Sequence, residues 1–118
     1  MRVLVVDDNE AAAQGLGTLL EYGGSRVALA YGGAEAVRKS REFSPDAVVL
    51  DIGLPDMSGY EVAQMLRREG FGGKLVALTG YGQEKDKRKA AAAGFDHHLT
   101  KPVGIADLQA VLMRPLAA

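Results

Sequence analysis

The 118-residue sequence contains no cysteine. That absence excludes a disulfide scaffold, a thiolate zinc site and cysteine nucleophile chemistry together, and it fits a cytoplasmic protein. Charge of one sign is missing too. With 14 Lys and Arg against 15 Asp and Glu, a net of −1, no broad field draws the chain to nucleic acid or to an anionic membrane, so neither is expected as a direct partner. Long apolar runs are also lacking. Nowhere do ~18 apolar residues stand together, the length that crosses a bilayer, and the first run, Val3–Val6, is cut by Asp7 and Asp8 before it can serve as a signal-peptide core. A soluble chain with no membrane insertion is expected. Glycine is plentiful instead, at 15 of 118 residues, but it is scattered at loops and helix ends without a repeat or low-complexity tract.

At 47% apolar and 25% charged residues, the composition is that of a globular protein with enough apolar surface for one core. We therefore read residues 1–118 as a single domain. Apolar or β-branched runs at Arg2–Val6, Arg26–Ala30, Ala47–Leu50, Lys74–Leu78 and Asp96–Thr100 predict five strands. Helical spacing lies between and after them: Leu16, Leu19 and Leu20 in the first helix, Val62, Met65 and Leu66 in the third, Ile105, Leu108, Val111 and Leu112 in the last. Ser58 with Glu61 marks the start of the third helix and Gly70 its stop, while Pro115 bars continuation of the last. The fourth, Gln83–Ala93, has almost no large apolar residue, so its packing should be weak; Lys85, Lys87, Arg88 and Lys89, diluted by Glu84 and Asp86, read as a solvated face.

Strict alternation of strands and helices requires a parallel sheet covered on both faces. The expected fold is α/β: a flavodoxin-like three-layer sandwich with a five-stranded parallel sheet of order 2-1-3-4-5 and five helices. Strands 1 and 3 then flank the point where strand order reverses, and ligands bind at the carboxyl ends of the strands there. Asp7 and Asp8 follow the first strand and Asp51 the third, so three carboxylates converge on one crevice. Their repulsion calls for a counter-charge, and donors made only of oxygen suit Mg²⁺. Capping of the first helix by Asp7, Asp8 and Asn9 would explain one Asp, but not a pair matched by a third from another strand. Thr79 and Lys101 end strands on the same edge. A hydroxyl, an ammonium and a metal are what a phosphoryl group needs, with Asp51 as the attacking carboxylate.

The blocks Val-Val-Asp-Asp, Val-Val-Leu-Asp-Ile-Gly-Leu-Pro-Asp-Met-Ser-Gly, Leu-Thr-Gly and Leu-Thr-Lys-Pro resemble the signatures of response-regulator receiver domains, and the likeness covers the whole chain. The resemblance is to the chemotaxis-regulator type, with Gly-Phe-Asp-His-His-Leu-Thr-Lys-Pro-Val similar to receivers attached to hybrid sensor kinases. It implies that Asp51 accepts a phosphoryl group from the phosphohistidine of a sensor histidine kinase or a histidine phosphotransfer domain. It also implies that Asp8, Asp51 and the Gly53 carbonyl ligate Mg²⁺, that Asp7 assists through water, and that Thr79 and Lys101 contact the phosphoryl group. Signalling would pass through the fourth helix, fifth strand and fifth helix, with phosphorylation-dependent homodimerisation as one mode. Pro55 and Gly59 stand where the family shapes the loop after the acceptor.

Two departures bear on switching. Three residues before Lys101 the family places Tyr or Phe, the ring that swings inward with Thr on phosphorylation; here it is His98, a candidate switch that can carry charge. Gly53 and Tyr81 occupy positions that set phosphoryl lifetime, and a glycine that steers no water beside a shielding tyrosine favours slow loss. A flavodoxin would need a Ser/Thr/Gly-rich phosphate loop where Asp-Asp-Asn-Glu stands, and an Asp-nucleophile phosphatase a second Asp at position 53. No segment reads as an output domain or a DNA-reading helix, so output is expected through contacts alone.

Overall fold

The computed structural model describes residues 1–80 and 87–113. Within them the chain runs β1 (Arg2–Val6), α1 (Glu10–Tyr22), β2 (Arg26–Ala30), α2 (Gly33–Phe43), β3 (Ala47–Asp51), α3 (Gly59–Arg68), β4 (Lys74–Thr79), α4 (Lys87–Ala93), β5 (His97–Thr100) and α5 (Ile105–Met113). All neighbouring strands are parallel, in the expected order β2-β1-β3-β4-β5. Tyr81, Pro115 and the start of the helix expected from Gln83 lie outside the described residues.

The strand ends differ by one residue from expectation. Asp51 pairs with Leu78 and Thr79 with Thr100, so both belong to the ladder as its last residues. Asp96 stays out of β5 because its carboxylate, at 2.8 Å, takes the Leu75 amide that a strand partner would use. In α1 the residues facing the core are Ala13, Gly17 and Leu20, whereas Leu19 is 49% exposed and Leu16 only half-buried. The reason is steric: a Cβ on Gly17 would stand 3.0 Å from Leu29 Cδ2, so α1 lies too close to β2 for a larger residue there.

One core fills the space between Leu4, Val6, Val48, Leu50, Leu75 and Ala77 of the sheet and helices α2, α3 and α4; the other lies between Val3, Val5, Val49, Val76 and Leu78 and helices α1 and α5. Every residue of β3 and β4 is buried, which is why Ala47–Leu50 and Leu75–Leu78 read as unbroken apolar runs instead of alternating. Short contacts then place the loops. A Cβ on Gly59 would stand 2.7 Å from the Asp51 carbonyl oxygen, so only glycine lets α3 begin directly against the end of β3. Ser58 accepts from the Glu61 amide and caps α3, as its sequence signature predicts, and Gly70 follows at φ +92°.

The weak apolar anchoring expected of α4 is met by Ala90 and Ala93, the two buried side chains among its described residues, while Arg88 and Lys89 are exposed. The Lys89 ammonium lies 4.7 Å from the centre of the Tyr60 ring. Arg67 of α3 holds the far end of α4: its guanidinium donates to the Gly94 carbonyl at 2.7 Å, to the Phe71 and Gly73 carbonyls, and to Asp96 at 2.9 Å.

Candidate functional site

Asp7 and Asp8 leave β1 where the chain must turn into α1. The residue that caps α1 is Asn9, whose side chain accepts from the Ala12 amide at 3.0 Å. The two aspartates are thereby released from capping. Asp7 instead accepts the Asn9 amide on Oδ1 at 3.0 Å and turns Oδ2 to Lys101 Nζ, 3.2 Å away. Asp51 does the same from β3: Oδ1 accepts from the Gly53 amide at 3.1 Å, and Oδ2 lies 3.1 Å from Lys101 Nζ. Lys101 follows β5, with its amide bonded to the Thr79 carbonyl at 2.7 Å and a cis peptide bond to Pro102. One ammonium thus bridges carboxylates from two adjacent strands.

Asp8 completes the cluster. One oxygen from each of Asp7, Asp8 and Asp51 lies within 4.8 Å of the others, with Asp7 and Asp51 buried and Asp8 exposed to solvent. Burial pushes the Asp51 carboxyl above the usual carboxylate range; the Gly53 amide and Lys101 oppose that rise without cancelling it, and the charge on Asp7 adds to it. Burial also lowers Lys101, but its hydrogen bonds and attraction to Asp51 and Asp7 outweigh that and leave it raised. The site is therefore short of positive charge even with Lys101 in place. Its donors are all oxygens, which fits a hard divalent cation.

Thr79 is buried at the end of β4, and its hydroxyl donates to the Leu99 carbonyl at 3.4 Å. The structure therefore turns it toward β5, whereas Asp7, Asp8, Asp51 and Lys101 share one crevice. His98 pairs with Ala77, two pairs along from Thr79–Thr100, and so lies on the sheet face of Ala77 and Thr79. It is half-buried, and its Nε2 is buried without a hydrogen-bond partner among the described residues. Beside Asp7 and Lys101 opens an apolar groove of about 540 Å³, lined mainly by Ala12, Leu16, Leu19, Leu78, Pro102 and Val103. The spacing of Leu16 and Leu19 shows a helix face but not that it borders a site.

Asp56 also escapes a reading from sequence. It stands in the loop after Asp51, yet it accepts the Gly33 amide at 2.8 Å and the Ala34 amide at 3.1 Å, capping α2 from across the fold. The only local signal is a deficiency: Gly32, the N-cap of α2, has no side chain with which to cap it.

The model of the response regulator receiver domain matches residues 3–113. Among curated proteins, a probable transcriptional regulatory protein, TcrX, of Mycobacterium tuberculosis is 39% identical over 116 residues, 95% of this chain and 50% of the relative. The transcriptional regulatory protein KdpE of the same species is 39% identical over 120 residues, 98% of this chain and 53% of its own length. The chain thus spans about half the length of these curated relatives. Among solved structures, a CheY-like receiver domain protein from Methanospirillum hungatei superposes with a TM-score of 0.86 at 31% identity, covering 92% of this chain and 87% of that one. Vibrio cholerae chemotaxis protein CheY4 gives 0.86 at 28% identity, with 94% and 98% covered.

Proposed function

The chain belongs to the response regulator receiver domains, the phosphoacceptor modules of two-component signalling, and from that membership we propose that Asp51 is the residue phosphorylated. The phosphodonor is a histidine kinase or a histidine phosphotransfer domain. Asp51 Oδ attacks phosphorus, the new P–O bond makes an acyl phosphate, and the P–N bond of the phosphohistidine breaks with its electron pair left on the ring nitrogen. The observation that carries this reading is the Lys101 ammonium, 3.1 Å from Asp51 Oδ2 at the strand edge. A cation fixed there neutralises the oxygens of an arriving phosphoryl group without reorganisation. Thr79 supplies a further donor once its hydroxyl leaves the Leu99 carbonyl.

Asp8, Asp51 and the Gly53 carbonyl would hold Mg²⁺, with Asp7 assisting through water; the cluster of three carboxylates supports this set. When bound, the ion supplies charge neutralisation for the phosphoryl group. The domain catalyses only its own phosphorylation and dephosphorylation, and the bare Gly53 favours slow loss. His98 takes the place of the aromatic switch, since its orphaned Nε2 and the Thr79 hydroxyl lie on one sheet face. Partner binding changes through α4, β5 and α5, with homodimerisation on phosphorylation as one outcome and no direct contact with nucleic acid. No described helix is long and apolar enough to cross a membrane, in keeping with a cytoplasmic site of action.

Incubation with Mg²⁺ and a small acyl phosphate, followed by intact mass measurement, tests the assignment without the natural partner. Wild type gains one acid-labile phosphoryl group and Asp51→Asn gains none. Phosphorylation of the variant at the wild-type rate refutes the choice of Asp51.

A further inference from the structure

Helix α2 begins with a defect. The first turn of a helix leaves amides without intrahelical acceptors, and Gly32 brings no side chain to receive them. The acceptor comes instead from Asp56, more than twenty residues away, with Oδ1 on the Gly33 amide at 2.8 Å and Oδ2 on the Ala34 amide at 3.1 Å. The neighbouring Met57 is seated against the same turn: a Cβ on Gly33 would collide with Met57 Cγ and stand 2.7 Å from its Sδ. The absence of a side chain at position 33 is what admits Met57.

The same loop carries Gly53 at its other end. There the Gly53 amide bonds to Asp51 Oδ1 at 3.1 Å, and the Gly59 amide bonds to the Ile52 carbonyl at 2.9 Å. Only Leu54, which is buried, and Pro55, whose φ is fixed by its ring, separate Gly53 from Asp56. The peptide after Gly53 therefore has little freedom once Asp56 is seated on α2.

We propose that Asp56 is a positioning residue for the phosphoacceptor site: by capping α2 across the fold, it holds the Asp51-to-Gly59 loop so that the Gly53 carbonyl faces the metal. This rests on the reading of Asp51 as phosphoacceptor and Gly53 as a metal ligand. The α2 amides hold the Asp56 carboxyl below the usual carboxylate range, Gly33 first and Ala34 next, so at neutral pH the cap is an ionised group at the positive end of a helix.

The test measures Mg²⁺ half-saturation by calorimetry, and the phosphorylation rate by acetyl phosphate across a Mg²⁺ series, for wild type, Asp56→Ala, Asp56→Asn and Gly33→Ala. Asp56→Ala should raise the Mg²⁺ concentration at half-saturation about tenfold, the usual effect of losing an outer-shell support, with the rate at saturating Mg²⁺ little changed. Asp56→Asn keeps an accepting oxygen and should recover most of the affinity. Gly33→Ala displaces Met57 and should weaken Mg²⁺ binding while leaving Asp56 itself intact. Melting without metal identifies any variant that fails to fold, and the remaining ones then decide. If wild type binds Mg²⁺ and takes phosphate while the folded variants keep its half-saturation, the positioning role alone is overturned. Wild type that does neither overturns the reading of Asp51 and this role with it.

Discussion

The surroundings of Asp51 disfavour its charged form. Burial raises its carboxyl in the folded chain, so the unfolded chain gives up that proton first as pH rises. The stability associated with Asp51 is therefore present below the ordinary carboxylate pKa and is lost as pH rises through the folded value. We expect Asp51→Asn to melt above wild type at neutral pH without Mg²⁺, and the gap to close as the pH is lowered into the carboxylate range; a lower melting point at neutral pH would contradict it. Lys101 has a dependence of the same sign in a more alkaline window. Its raised value adds stability that lasts to alkaline pH and is lost as pH rises through that value. His98 is a second residue kept at a cost, since a buried nitrogen without a partner forfeits about 1–3 kcal/mol of hydration. His98→Phe should gain about 1 kcal/mol in urea denaturation and change the response to phosphorylation, measured as partner binding or dimerisation. A variant no more stable than wild type would mean that Nε2 is solvated.

Among the elements, α4 is held unevenly. Its C-terminal end is fixed by Arg67, which joins α3, the Gly94 carbonyl, the start of β4 and Asp96, and its apolar attachment is two alanines. Low local stability of this kind is what a switching element needs. Arg67→Ala leaves carbonyls of three loop residues without their donor and should cost about 2–3 kcal/mol, with amide exchange rising in α4 before the rest of the sheet. Uniform acceleration of exchange would assign Arg67 to global stability alone. At the end of α5 another cation acts as a cap: buried Lys74 donates to the Val111 and Leu112 carbonyls at 2.7 and 3.0 Å. The edge strand β2 is closed by Lys39, which bonds to the Leu29 carbonyl.

At the scale of the whole molecule, the two cores clamp a sheet whose carboxyl edge gathers like charges. Folding brings one carboxylate oxygen of Asp51 within 4.8 Å of those of Asp7 and Asp8, a repulsion between Asp51 and that pair which the unfolded chain lacks. An ion that binds only the folded crevice stabilises the entire fold by mass action. At a hundredfold excess of Mg²⁺ over its dissociation constant the gain is about 2.7 kcal/mol, visible as a rise in melting temperature, and Asp8→Ala should lose most of it. An undiminished shift in that variant would remove Asp8 from the ligand set.

The sequence by itself determined the layers, because alternating apolar runs and helical stripes can bury both faces of a sheet in few ways, and Asp7, Asp8, Asp51, Thr79 and Lys101 all mark strand ends. Those positions follow from local order along the chain, one or two residues after each hydrophobic run. Tertiary structure decided what no local pattern encodes. Lys101 reaches Asp7 and Asp51 only because β1, β3 and the end of β5 meet at one edge, and Thr79 faces Leu99 instead of the carboxylates because its rotamer answers to β5. Leu19 has the spacing of a core residue but lies outside, since the close approach of α1 to β2 at Gly17 rotates it toward the groove. Asp56 caps a helix more than twenty residues earlier in the chain. Such pairings depend on distance in space, and a linear pattern of residue types carries that distance only after the sheet has closed.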